Sequence, residues 1–128
     1  MIMIDSDVLI WILRGKEIFY SQFKQLAVST SGELFITPVQ AAEIFAGVRE
    51  NEKKSTEAFL SALKLFQPGF REGMMAGYYM KQYGNSHSVT LADALIAASV
   101  ISEDLRLWTM NTKHYPMLDK KNLYASPQ

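Results

Sequence analysis

The chain has 128 residues, 48% of them apolar, with 13 basic and 13 acidic side chains in balance and no cysteine. That is enough apolar material for one folded domain over residues 1–128, and it excludes disulfides, thiolate metal sites and a cysteine nucleophile. Zero net charge also excludes an overall positive field as the means of attracting nucleic acid, so local cations such as Lys53, Lys54, Lys113, Lys120 and Lys121 would have to serve.

The opening run Met1–Ile4 is a short apolar strand, and Asp5-Ser6-Asp7 then offers capping side chains ahead of a helix beginning at Val8. Gly15 and Lys16 interrupt that helix, and a second follows with Ile18, Phe19, Phe23, Leu26 and Ala27 at helical spacing. Leu34-Phe35-Ile36 is the next strand. Thr37, Pro38 and Gln40 supply a cap, a first-turn proline and the partner of a capping box, so a helix is expected through Glu43 to about Arg49.

Further helices are expected over Ser55–Phe66, ended by Gln67-Pro68-Gly69, and over Arg71–Tyr83, ended by Gly84-Asn85. Thr90 opens the most apolar helix, Leu91–Ile101, which is hydrophobic nearly all round and should be buried. Arg106–Thr109 reads as a strand, Asn111–Tyr115 as a polar turn with a short helix, and Leu123–Ala125 as a last edge strand. Strands alternating with helices give an α/β fold with a short, mostly parallel sheet flanked by helices on both faces. No run approaches a membrane span, and Asp5 and Asp7 interrupt the apolar N-terminal stretch without basic residues before them. A cytoplasmic protein is the expectation.

Parallel sheets place their sites beyond the carboxyl ends of the strands. Asp5 and Thr109–Asn111 follow strands there, Glu43 sits in the helix after the second strand, and Asp93 in the first turn of the buried helix. Each also has a plainer role: Asp5 or Asp7 as a helix cap, Glu43 as a surface residue, Asp93 as the acid of a capping box with Thr90. A carboxylate in so apolar a helix is costly to bury unless it is paired, hydrogen-bonded or bound to metal. Gathered acids raise one another's pKa unless a cation is present, and Mg²⁺ or Mn²⁺ would resolve that conflict.

The stretches IDSDVLIWILRG, TPVQAAEIFAGVRE, LADALIAASVI and WTMNTKHYPML together resemble the PIN-domain ribonucleases, most closely the VapC-like toxins of toxin–antitoxin pairs. The resemblance implies metal-dependent endoribonuclease activity, with Asp5, Glu43 and Asp93 as metal ligands and Asn111 positioning water or substrate. It implies Ser6 and Thr109 as supports of those ligands, and Lys113, Arg14 and Arg49 as candidate phosphate contacts. It further implies an RNA substrate, an antitoxin partner that blocks the acidic site, and a homodimer, to which Tyr78, Tyr79 and Tyr83 are candidate contributors. Many relatives carry a fourth acid where this chain has Asn111 or His114, which leaves one-metal and two-metal catalysis both open. Two other readings stand beside it. Asp5-Ser6-Asp7 also resembles the paired aspartates of haloacid-dehalogenase-like phosphatases, and the fold could serve as an inactive PIN-like interaction module.

Overall fold

The computed structural model describes residues 1–125. Four short strands, β1 (Ile2–Ile4), β2 (Leu34–Ile36), β3 (Lys64–Leu65) and β4 (Arg106–Trp108), pair in parallel in the order β3-β2-β1-β4. Six helices connect or flank them: α1 (Ser6–Leu13), α2 (Glu17–Ser29), α3 (Pro38–Gly47), α4 (Lys53–Ser61), α5 (Phe70–His87) and α6 (Leu91–Ser102). Among the described residues, no helix is long and apolar enough to cross a membrane.

Side chains alternate across a strand, so each strand feeds two cores. Ile2 and Ile4, Leu34 and Ile36, and Trp108 join one cluster with Val8, Leu9 and Ile12 of α1, Leu26 of α2, Ile44 of α3 and Leu60 of α4. Met3, Phe35 and Leu107 point the other way, towards Ile96, Ala97 and Val100 of α6. The register agrees, since Met3 lies beside both Phe35 and Leu107 and Ile4 beside Trp108. Helices therefore cover both faces, as the alternation of strand and helix in the sequence requires. β1 is central and wholly buried, which explains why its three residues are all apolar.

Ala94, Ala97 and Ala98 are buried in α6, and Ala94 shares a small cluster with Ala76 of α5 and Val89. Small residues on both partners let the two helices pack closely. The start of α3 is fixed just as locally. Thr37 caps it, and the fully buried Gln40 accepts from the Thr37 backbone N–H at 3.0 Å and donates to the Ile4 carbonyl at 3.2 Å. Gln40 thus ties the first turn of α3 to the end of β1.

Several boundaries differ from expectation. The segment read as one helix over Ser55–Phe66 is instead α4 followed by β3, a two-residue edge strand whose neighbour Phe66 donates to the Ile36 carbonyl at 2.9 Å. Tertiary pairing with β2 overrides a locally helix-compatible sequence. Gly84-Asn85 does not end α5, which runs on to His87 and stops at Ser88 in the left-handed region (φ 52°). α3 ends at Gly47, and a short 3-10 turn, Glu50–Glu52, follows it. The last expected strand, Leu123–Ala125, contributes only a single parallel bridge from Leu123 to Leu107. The turn expected at Asn111–Tyr115 holds a 3-10 turn, Thr112–His114.

Replacing Gln40 by Met keeps its length and removes its hydrogen bonds, leaving the buried Ile4 carbonyl short of a partner. Denaturant unfolding of Gln40→Met should show a loss of about 1–3 kcal/mol in stability. An unchanged midpoint would mean that the link between β1 and α3 carries no weight.

Candidate active site

Three chain segments meet at the carboxyl edge of the sheet because β1, β2 and β4 are parallel. β1 runs into Asp5, β2 into Thr37 and the start of α3, and β4 into Thr109. The Asp5 backbone N–H donates to the Trp108 carbonyl at 2.9 Å, which locks the exits of β1 and β4 side by side.

Asp5 is buried, and it is the N-cap of α1, its Oδ1 accepting from the Ser6 N–H at 2.9 Å. Its other oxygen accepts from Thr109 Oγ1 at 2.7 Å and from the Tyr115 hydroxyl at 2.9 Å. One oxygen of the carboxylate therefore makes the cap, and the other takes the bonds from Thr109 and Tyr115. Thr109 is in turn steadied by the Asn111 backbone N–H, which donates to its Oγ1 at 3.0 Å. Burial pushes the Asp5 pKa up, hydrogen bonds from Thr109, Tyr115 and Ser6 oppose that shift, and the charge of Asp93 adds to it.

Glu43 sits on the exposed side of α3 and accepts from Ser6 Oγ at 2.9 Å. Ser6 thus joins the first helix to Glu43. Partial burial raises the Glu43 pKa, Ser6 opposes this, and the charges of Asp5 and Asp93 raise it further. Asp93 completes a capping box in α6: its Oδ2 accepts from the Thr90 N–H, its own N–H donates to Thr90 Oγ1, and both distances are 3.2 Å. His114 Nδ1 lies 3.7 Å from the same Oδ2, an ion pair whenever the imidazole is protonated.

Two residues at the edge lie outside the expected site set. Tyr115 is buried and donates to Asp5; burial first, then the charges of Asp5 and Asp93, raise its pKa, so the phenol stays a neutral donor. Its place in the fourth motif was visible, but nothing local says that its hydroxyl reaches back 110 residues. Asp7 accepts from the Val8 N–H at 2.7 Å and from the Met110 N–H at 3.0 Å, pinning the loop after β4 to the start of α1. Burial, and then the charge of Asp5, push its pKa up to about 6. Asp7 is thus held by backbone donors on both of its oxygens.

The weaker candidates fall into two groups. Arg14 and Arg49 line a cleft of about 430 Å³ that Glu43 and Gly47 also line. Lys113 and Asn111 are exposed on the loop after β4, where Asn111 is tied to Thr109 through its backbone. Asp5, Glu43 and Asp93 act on one another electrostatically, and their hard oxygens suit a divalent cation such as Mg²⁺ or Mn²⁺. The donor set fits such an ion by chemistry. Among the described residues, however, no three acidic or imidazole side chains stand together at ligating spacing. Glu43 is taken up by Ser6, and Asp93 by the cap of its own helix.

A protein-family model described as PIN domain matches residues 2–117. The chain is 35% identical to Ribonuclease VapC10 of Mycobacterium tuberculosis, across 99% of this chain and 96% of that protein. It is 31% identical to Ribonuclease VapC19 of the same organism, across 90% and 92%. Its fold is similar to that of VapBC2 from Rickettsia felis, solved bound to a DNA fragment from its promoter, with a TM-score of 0.75 and 21% identity over 96% of each chain.

A carboxyl whose pKa is higher in the folded than in the unfolded state holds its proton more tightly when folded. Its stabilising contribution is complete below the unfolded value and is lost as pH rises through the folded one. For Asp7 the window runs from 3.8 to about 6, and Asp5 and Glu43 shift in the same direction. Thermal unfolding in EDTA should therefore show Tm falling with pH across this window, with a shallower fall in Asp7→Asn. Parallel curves for the two proteins would contradict the assignment.

Proposed function

The chain belongs to the PIN-domain family, and on that premise we propose that it is a metal-dependent endoribonuclease, the toxin of a toxin–antitoxin pair, working as a single PIN-like domain. The observation that carries this reading is the buried Asp5, held by Thr109 and Tyr115 and coupled by charge to Asp93 and Glu43. An arrangement that keeps like charges together at a strand edge suits a cation and the phosphodiester it neutralises. The haloacid-dehalogenase-like reading is displaced by the family match.

Asp5, Glu43 and Asp93 would hold Mg²⁺ or Mn²⁺, the latter two exchanging their local hydrogen bonds for the ion. The ion supplies Lewis-acid activation of water and charge neutralisation at the phosphate. Thr109 and Tyr115 fix the direction of the Asp5 carboxylate, and Ser6 steadies Glu43, so the ligand set is oriented from behind. Asn111, on the loop after β4, would position water or substrate. Arg14 and Arg49, in the cleft beside Glu43, and Lys113 are the phosphate contacts. His114, with Nδ1 3.7 Å from Asp93 Oδ2, is a neighbour of that acid.

The partner proposal rests on the named neighbours, which are toxin–antitoxin complexes, among them VapBC assemblies. An antitoxin would block the acidic edge, with an inserted arginine as the complementary charge. A homodimer is proposed through α5. Phe70, Met74 and Tyr78, spaced by four, are 85%, 63% and 60% exposed and form an apolar stripe. Tyr79 and Tyr83 instead turn inward to the core. The absence of cysteine and of any membrane-length helix among the described residues supports a cytoplasmic setting.

Purified protein should cleave a mixed cellular RNA pool with Mg²⁺ or Mn²⁺, and both EDTA and Asp93→Asn should abolish cleavage. Equal cleavage in all three would assign the activity to a contaminant. No cleavage in any would favour the inactive interaction module. Tyr115→Phe should keep the fold and weaken metal affinity by about 10–100-fold, read by Mn²⁺ titration of activity. Wild-type affinity in that variant would remove Tyr115 from the support of Asp5.

A further inference from the structure

A separate cleft, of about 740 Å³, opens where the chain leaves β4, and Thr109 and Met110 line it. It falls in the range of small-ligand sites, about 300–1,000 Å³. Phe19, Leu123 and Tyr124 give it apolar and aromatic walls, and its charged lining residues are Lys16 and Lys120, with no acid among them. Among the described residues, neither lysine forms an ion pair. Lys16 is held instead by cation–π contact, its Nζ 5.0 Å from the centroid of Trp11, whose ring stacks on Phe19 at 6.4 Å.

Two residues that line the cleft are hydrogen-bonded to acids of the edge. Thr109 donates to Asp5, and the Met110 N–H donates to Asp7. A chain of phosphates brought to Asp5, Glu43 and Asp93 meets negative charge there, so its neighbouring phosphates need cations close by. This cleft offers two, together with apolar and aromatic side chains of the kind against which an unstacked base packs.

We infer that this cleft is the base-binding subsite of the enzyme, taking one nucleobase of single-stranded RNA beside the cut, with Lys16 and Lys120 on the flanking phosphates. The inference rests on the ribonuclease reading above and adds to it the place where the substrate is recognised. It also separates two classes of cation: Arg14 and Arg49 share a cleft with Glu43, whereas Lys16 and Lys120 lie in one that contains no carboxylate.

The test uses a single-stranded RNA oligonucleotide containing a site cut by the wild-type protein. kcat/KM is measured against salt concentration for wild type and for the Lys16→Gln, Lys120→Gln double variant, both positions being exposed. Each lysine removed should flatten the slope of log(kcat/KM) against log salt by about 0.7. In parallel, single abasic replacements are scanned across the cut, and one position should lower kcat/KM on the order of tenfold while the others are tolerated. A double variant with the wild-type salt slope overturns the inference, as does an RNA in which no abasic position matters. Wild-type protein that cuts no RNA with either metal would instead remove the ribonuclease reading and the subsite with it.

Discussion

Everything at the carboxyl edge of the sheet depends on keeping the Asp5 carboxylate buried. Burying a charge is costly unless it is fully hydrogen-bonded or paired, and this one has its partners supplied from three places in the chain. The Ser6 N–H is adjacent in sequence, whereas Thr109 and Tyr115 arrive only after β4 has paired with β1. The site is thus a product of the sheet's register. A slip of β4 by one residue would turn Trp108 and Leu107 to the wrong cores and carry Thr109 away from Asp5.

The same constraint explains why the fold surrounds β1 so completely. Ile2, Met3 and Ile4 have no measurable exposure, and the helices on both faces draw on them for their packing. Gln40 closes the arrangement by holding the start of α3 to Ile4, which in turn sets Glu43 above Ser6. Stability and function are therefore coupled at this edge. The carboxyls with raised pKa, Asp5, Asp7 and Glu43, lie where the proposed chemistry would draw on them.

Much of this is legible in the sequence because it is written locally. The capping box at Thr37–Gln40 and the apolar α6 opened by Thr90 carry their own signals, and the carboxyl ends of parallel strands point Asp5, Glu43, Asp93 and Thr109 towards one edge. What escaped is non-local. β3 exists because β2 presents an open edge, and residues 64–66 carry no strand signal of their own. Gly84 lacks the positive φ that would have made it a helix stop, so α5 passes through it to Ser88. Tyr115 and Asp7 are visible as residues, but Asp5 for Tyr115 and Met110 for Asp7 lie more than a hundred positions away. A zero net charge likewise hides the sorting of its cations: Arg14 and Arg49 beside Glu43, and Lys16 and Lys120 in an acid-free cleft.

Asp5, with Glu43 and Asp93, is proposed to hold a divalent cation at this edge. The most direct test is Mn²⁺ binding followed by thermal unfolding, comparing wild type with Asp5→Asn at matched starting stability. An ion that binds only the folded state raises Tm with concentration, so the account predicts a clear rise in the wild type and little or none in the variant. Equal rises in both, or none in either, would contradict it.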